Sequence, residues 1–289
     1  MGTLRRLISF FFFAALAILA ADSTPHRIAS LSPSTTEILY GVGAFPRVVA
    51  VSQYCSYPPE VTKLPRIGGW QTSDIESIVA IRPDLVVLTK AQEPFIRDRL
   101  QTFGLHWIAV PSESLADVFT AIDMIGKATG NSQQSADLIR RTQTSLNDIR
   151  SATKDLPRRS VLLSVSRTPG TLSDLYVATE GSYLIDLVEI AGGRSVVAPA
   201  RTGYGKISKE AILTLNPEVI IDLVTGSKSK LAEHTTDVWN DLPELRAVRE
   251  KHVYAVDDQF VPHPSQFVTH TAQLFEGILH PEAVNRGKH

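Results

Sequence analysis

Two fourteen-residue stretches of this chain follow one pattern. Residues 74–87 read DIESIVAIRPDLVV and residues 208–221 read SKEAILTLNPEVII, and they align without a gap at an offset of 134. Each opens on a helix-capping side chain, Asp74 or Ser208, and carries a glutamate two positions on, Glu76 or Glu210. An apolar helical face follows, and the helix stops at a proline, Pro83 or Pro217, because proline disfavours the helical conformation in the residue before it. An acidic residue then leads into a continuous apolar run, the mark of a strand buried on both faces. A unit that ends a helix and begins a buried strand needs a sheet to receive that strand. One copy in each half of the chain therefore predicts two lobes of similar α/β architecture.

The rest of the chain fits that scheme. Residues 27–31, 48–51, 85–88 and 107–110 are short apolar runs, with helical stretches at 34–42 and 94–103 between them. Helices are expected at 114–128 and 132–154, the second free of Gly and Pro and long enough, at 1.5 Å per residue, to reach roughly 34 Å. Its apolar positions, Ala136, Leu138, Ile139, Leu146 and Ile149, make a partial stripe on a polar rod, which suits a solvent-flanked spine between two lobes. Alternation resumes at 160–165, 182–190, 219–223, a helix near 232–240, and 253–256, and an apolar helix over 267–279 closes the chain before a polar tail. The expected fold is α/β, with two lobes of short, mostly parallel sheets joined by one long spine helix. The expected boundaries are a first lobe over 22–130, the linking helix over 131–156 and a second lobe over 157–289.

Residues 1–21 carry Arg5 and Arg6, a thirteen-residue apolar core (LISFFFFAALAIL) and small residues before Asp22, which is the pattern of a secretory signal peptide. An apolar core of that length covers about 20 Å, short of a ~30 Å hydrocarbon slab. Cleavage after Ala20 or Ala21 exposes no cysteine, so a soluble exported chain is expected rather than a lipid-anchored one. The 29 Lys and Arg nearly balance the 30 Asp and Glu, which leaves no positive field to hold a phosphate backbone. Nucleic acid is therefore not an expected partner. Cys55 is the single cysteine, so no internal disulfide is available and stability must come from apolar burial.

On RIASLSPSTTEILYGVG (27–43), VVAVSQYCSYPPEV (48–61), IGGWQTSDIESIVAIRPDLVV (67–87), GSYLIDLVEIAGGRSV (181–196) and ISKEAILTLNPEVII (207–221), the chain resembles the periplasmic cobalamin-binding proteins of ABC importers. These belong to a helical-backbone superfamily that also holds haem and siderophore carriers, and the likeness covers nearly all of the mature chain. It implies ligand capture in the cleft between the lobes, periplasmic localisation, a permease dimer as partner, a monomeric carrier, and no cofactor besides the transported ligand. Two departures stand out. Where the family often places an arginine near the start of the last helix, this chain has VPHPSQF with His263, and where the family's second lobe commonly holds a tryptophan, it has Tyr204.

A corrinoid is broad and mostly apolar with an amide rim, so its receptor needs flat aromatic surfaces and a few rim donors and acceptors. Tyr54, Tyr57 and Trp70 are the candidates in the first lobe, Trp70 following Gly68 and Gly69 in a turn that can present a large side chain to a crevice. Tyr204, on a loop between Gly203 and Gly205, and His263, as an axial imidazole or a rim hydrogen bonder, are the candidates in the second. Cys55 is the candidate thiolate contact to cobalt or iron, with a small buried thiol as the alternative; no other metal site is expected. The resemblance assigns Glu76 and Glu210 to docking on the two halves of the transporter, a solvated helix surface being the alternative. No GxSxG, HExxH, Walker loop or Cys-x-x-Cys occurs, so no catalytic residues and no enzyme activity are expected. A haem or siderophore carrier of the same fold is the nearer alternative, and a secreted hydrolase the distant one.

Overall fold

The structure, a computed structural model, describes residues 24–224 and 230–282. The expected signal segment, residues 225–229 and the polar tail from residue 283 lie outside the described residues. The first sheet has the order β2-β1-β3-β4, with every pair parallel: β1 (Ile28–Ser30), β2 (Val48–Val51), β3 (Leu85–Thr89) and β4 (Trp107–Val110). Helices α1 (Pro33–Gly41), α2 (Ile75–Ala80) and α3 (Glu93–Thr102) connect these strands. Then α4 (Leu115–Ala128) and the 22-residue α5 (Ser132–Thr153) lead to β5 (Arg159–Ser166) of the second sheet.

That second sheet follows the order β10-β9-β5-β6-β8, with β7 also on β5. It comprises β6 (Tyr176–Ala178), β7 (Gly193–Ser195), β8 (Tyr204–Lys206), β9 (Val219–Leu223) and β10 (Val253–Val256). β7 and β9 pair in parallel with β5 and β10 in parallel with β9, whereas β6 pairs antiparallel with the far end of β5 and β8 antiparallel with β6. These antiparallel strands were not foreseen, because at three residues each they are too short to show a period. Helices α6 (Tyr183–Ile190), α7 (Lys209–Leu215), α8 (Arg246–Arg249) and α9 (Val268–Leu279) complete the lobe. The expected α-helix near 232–240 is instead 3₁₀ turns over Lys230–Asp241; Thr235, Thr236 and Asp237 are poor helix formers in the middle of that stretch.

The repeated unit is equivalent in atomic detail. Asp74 caps α2 by accepting from the Ser77 N–H, and Ser208 caps α7 by accepting from the Ala211 N–H. The residue before each proline, Arg82 or Asn216, is left-handed at φ 47° or 42°, a sharper reversal than the extended conformation expected there. Beyond the proline, each acidic side chain clamps the neighbouring strand. Asp84 accepts the Arg27 N–H at 2.9 Å and returns its own N–H to the Arg27 carbonyl at 2.9 Å. Glu218 does the same with Ser160, at 2.7 Å and 3.1 Å. The acidic residue after the proline thus sets the register of the following strand against the first strand of its lobe.

Alternate strand residues divide the core. Ile28, Leu85 and Val87 of the first sheet and Val161, Leu163 and Ile221 of the second face one continuous cluster, which includes residues of α1, α4, α5, α6 and α9. Ala29, Val86 and Leu88 face a separate cluster on the outside of the first sheet, and Leu162 and Ile220 face another on the outside of the second. The two lobes therefore share one interior rather than meeting as separate bodies. Helix α5 lays one stripe on that interior and leaves the rest of its surface, including Arg140, Arg141, Gln143, Asn147 and Arg150, exposed, as expected of a solvent-flanked spine. Its inward stripe is Ser135, Leu138, Thr142, Leu146, Ile149 and Thr153, while Ala136, expected to be apolar contact, is exposed.

The α4–α5 crossing depends on Gly126, where an added Cβ would lie 2.3 Å from Ser135 Oγ and 2.4 Å from Ser135 Cβ. In an open helix interior, Gly→Ala gains about 0.5–1 kcal/mol. At this crossing the sign reverses: Gly126→Ala is expected to lose ~1–3 kcal/mol by overpacking. A denaturant midpoint equal to or above wild type would show that the crossing relaxes freely.

Candidate functional site

All four parallel strands of the first lobe deliver their C-terminal ends to one place. A cavity of about 330 Å³ is lined by Ser32 and Ser34 after β1, Tyr54 after β2, Thr89 at the end of β3 and Ser112 after β4, with Trp70 beside them. The second lobe closes it with Tyr183, Tyr204, Pro262, His263 and Pro264. The order β2-β1-β3-β4 reverses between β1 and β3, and such a switch point is where open α/β sheets leave a crevice. A larger cavity of about 540 Å³, bounded by α4, α5 and α6, contains none of the aromatic candidates.

The floor of the cleft is set by the LSPSTTE segment. Ser32 caps α1 with Pro33 in the first turn, and the hydroxyls of Ser30, Ser32, Thr35 and Thr36 bond to one another at 2.7–2.9 Å. Buried polar groups so paired hold the β1–α1 turn in a single arrangement. Trp70 stands at the tip of a tight turn closed by Gly69 N–H to the Thr72 carbonyl at 3.3 Å. The turn requires Gly68 at φ +89°, where a Cβ would strike the Thr72 carbonyl at 2.4 Å. Half-buried and 5.7 Å from the Phe95 ring, Trp70 is a wall of the cavity rather than core. Tyr54 is 58% exposed, a large aromatic with one face open beside the cleft.

Tyr204 lies in β8, paired with Ala178, and not on the expected loop. Burial pushes its phenol up to about 12, against the opposing effect of the Ser182 hydroxyl. Tyr183, which sequence reasoning missed, is buried and donates its hydroxyl to the Val261 carbonyl at 2.9 Å. It was legible only as one aromatic in the apolar stretch GSYLIDL. His263 is tied through Nδ1 to Glu37 Oε1 at 2.8 Å, across the lobes.

Two candidates lie elsewhere. Tyr57 is not among the cavity-lining residues; its ring packs edge-on against Tyr40, Phe260 and Phe267, at 5.1–5.5 Å between centroids, in an aromatic seam between the lobes. Its neighbour Ser56 donates to Gln259 across the same seam at 2.8 Å. Cys55 is 3% exposed, 3.2 Å from the Thr36 hydroxyl, and absent from the cavity wall. Burial pushes its thiol up to about 11, which is a small buried thiol and not a thiolate ligand. Among the described residues no group of three or more His, Cys, Asp or Glu could hold a metal ion, and no helix is long and apolar enough to cross a membrane.

Glu76 and Glu210 are both exposed, each in the first turn of its capped helix, and so occupy equivalent places on the two lobes. The Glu210 carboxyl is held below the usual range by its own backbone N–H and the Ser208 hydroxyl.

Residues 28–260 match the family model described as periplasmic binding protein, a span running from β1 to the cleft loop after β10. The chain belongs to that family. Among its relatives is the ABC transporter substrate-binding lipoprotein YvrC of Bacillus subtilis, 30% identical over 261 residues, covering 88% of this chain and 78% of the relative. A vitamin B12-binding protein of Yersinia pestis is 27% identical over 223 residues, covering 76% of this chain and 75% of that one. The solved periplasmic heme-binding protein RhuT of Roseiflexus superposes with a TM-score of 0.77 at 23% identity, covering 89% of this chain and 99% of that one. As a periplasmic binding protein of the ABC substrate-binding type, the chain implies a small-molecule ligand and a permease partner.

Proposed function

We propose that this chain is an exported, periplasmic, monomeric solute-binding protein that captures a corrinoid, cobalamin foremost, between its lobes and delivers it to the permease dimer of an ABC importer. The observation that carries this reading is the convergence of Tyr54, Trp70, Tyr204 and His263, from four separated segments, on one cavity ringed by serine and threonine hydroxyls. Aromatic faces suit the apolar body of a macrocycle, and the hydroxyls of Ser32, Ser34, Thr89 and Ser112 suit an amide rim. The name of the Yersinia relative supports cobalamin. A haem carrier is the second reading, favoured by an imidazole on the cavity wall where the resembled family often places an arginine.

The visible absorption spectrum of protein purified from cobalamin-containing medium separates corrinoid, haem and ferric siderophore in one trace. Equilibrium titration with cyanocobalamin is expected to show one site per chain, with the ligand recovered chemically unchanged. A bound haem or siderophore chromophore overturns the corrinoid reading, and a chemically altered ligand overturns binding without turnover.

Trp70 supplies a sharper test. Trp70→Ala is expected to weaken cobalamin binding by ~1–3 kcal/mol while barely moving the melting temperature of the unliganded protein. Neither other tryptophan lines the cleft: Trp239 is fully buried on Asp222, and the Trp107 indole donates to Glu93 at 3.2 Å. Trp107 and Trp239 should therefore respond less than Trp70 in a fluorescence titration, and quenching on ligand addition should fall with Trp70→Ala. Equal losses of stability and affinity would instead make Trp70 a packing residue.

A further inference from the structure

A trough runs along the flank of α5, away from the cleft. The cavity of about 540 Å³ bounded by α4, α5 and α6 shares Leu115, Phe119, Arg150 and Ile190 with a neighbouring cavity of about 390 Å³, so the two form one continuous depression. Each volume falls in the range of ordinary small-molecule pockets, ~300–1,000 Å³. None of the residues lining either cavity lines the cleft.

The trough has unlike ends. The smaller cavity adds Leu146 and holds one cation, Arg150, whereas the larger adds Lys154 and Arg158. Leu115, Phe119, Leu146 and Ile190 are buried or half-buried, and Arg150, Lys154 and Arg158 are exposed. An apolar floor thus leads to a group of three cations.

These charges are not spent on carboxylates. Arg150 donates to the Asn147 side-chain carbonyl at 3.1 Å and Arg158 to the Gly193 carbonyl at 2.9 Å, and neither forms an ion pair among the described residues. Lys154 meets Asp155 only at 3.9 Å, with both side chains exposed. Of the two carboxylates on the wall, Asp186 accepts the Leu115 N–H at 3.0 Å, and Glu189 is exposed and pairs with none of the three cations. A cation near a helix C-terminus offsets the helix dipole, which accounts for Arg150 and Lys154 at the end of α5. It does not account for Arg158, which lies past the helix, or for the apolar floor. The segments TGSKS at 225–229 and AVNRGKH at 283–289 contain no acidic side chain, so neither complements the cations.

We propose that this trough is a second ligand site, for an amphipathic anion: a single acyl chain lies over Leu115, Phe119, Leu146 and Ile190, and its carboxylate or phosphate head meets Arg150, Lys154 and Arg158. The site is independent of what the cleft carries. Apolar burial supplies affinity along the chain, and the cations select an anionic head.

The test is equilibrium titration of the purified full chain with decanoate below its micelle concentration, beside octanoate, decyl phosphate, neutral decanol and inorganic phosphate. Decanoate is expected to bind at one site, more tightly than octanoate by up to about fourfold per added methylene. It should also bind more tightly than decanol or inorganic phosphate, each of which offers one half of the match. Decanoate against decyl phosphate then tells whether the head is a carboxylate, as in a free fatty acid, or a phosphate, as in a monoacyl lipid. Raised salt should weaken decanoate binding. Arg150→Glu with Lys154→Glu, both at exposed positions, turns two attractions into two repulsions and should cost from about 4-fold to several hundredfold in decanoate affinity. Trp70→Ala, in the cleft, should change that affinity by no more than about twofold. Decanol binding as tightly as decanoate, or a double reversal that binds decanoate like wild type, makes the three cations ordinary solvated charges and overturns the proposal. Loss of decanoate binding with Trp70→Ala puts the anion in the cleft and overturns it as well. A wild-type dimer that the double reversal dissociates gives the trough to a second copy of the chain and does the same, as does a failure of all these compounds to bind.

Discussion

Asp222→Ala is expected to destabilise the protein by ~3–5 kcal/mol, the range for breaking a buried ion pair from one side. Asp222 lies in β9, 1% exposed, in the second lobe. Its carboxylate accepts the Ser164 hydroxyl at 2.7 Å, the Trp239 indole N–H at 3.0 Å and the Arg167 guanidinium at 3.0 Å from two nitrogens. The Arg167 side chain is only 8% exposed, so removing the carboxylate takes the Asp222 partner from a buried guanidinium that also donates to the Thr171 carbonyl at 3.3 Å. The indole and hydroxyl donors are left unsatisfied as well. The loss comes from the charge left behind and not from the strength of the pair, and this has a measurable consequence. Arg167→Met combined with Asp222→Leu should recover much of the stability lost by Asp222→Ala, since an apolar replacement of both partners is often close to neutral. Denaturant unfolding of the three variants measures both effects. A loss below 1 kcal/mol for Asp222→Ala would mean that the site admits water.

Reversing both Glu76 and Glu210 to lysine is expected to impair delivery to the permease while leaving ligand affinity within about 0.5 kcal/mol, as for surface changes far from a site. Both side chains are exposed in the first turns of equivalent helices, one per lobe; if they dock the permease as the resemblance implies, a two-fold symmetric partner would meet the same carboxylate twice. An exposed pair contributes ~0.2–1 kcal/mol. Turning two attractions into two repulsions of like size therefore removes about 1–4 kcal/mol from docking, from a few-fold to several hundredfold in complex affinity. Each single reversal should cost part of this, and raised salt should weaken the wild-type complex because exposed charges are screened. Reconstituted transport at the wild-type rate by the double variant would make both residues ordinary solvated helix positions.

Much of the architecture could be read along the chain because its causes are local. Strands 48–51, 107–110, 219–223 and 253–256 lie where their apolar runs begin and end. Continuous apolarity is what a parallel strand with a core on each face requires, and here Ile28 and Ala29 do face different cores. The repeated helix-to-strand unit was legible because a cap, a proline and a following carboxylate act within a dozen residues. Asp84 and Glu218 then clamp equivalent strands by the same pair of bonds.

Membership of the cleft was a different matter. Tyr54 and Tyr57 are three positions apart, yet one lines the cavity and the other packs in an aromatic seam whose partners Phe260 and Phe267 are two hundred or more positions away. No local pattern separates them, since the division is made by how the second lobe docks on the first. Packing within the first lobe puts Cys55 under Thr36 and off the cavity wall, and pairing within the second lobe's sheet draws Tyr204 into a strand that its glycine neighbours disguised. Docking of the lobes brings Glu37 to His263 across 226 positions. Side-chain periodicity, capping and proline stops are short-range effects and appear in the sequence as spacing. Which buried carboxylate meets which imidazole depends on the shared core of five helices, and only the tertiary structure decides that.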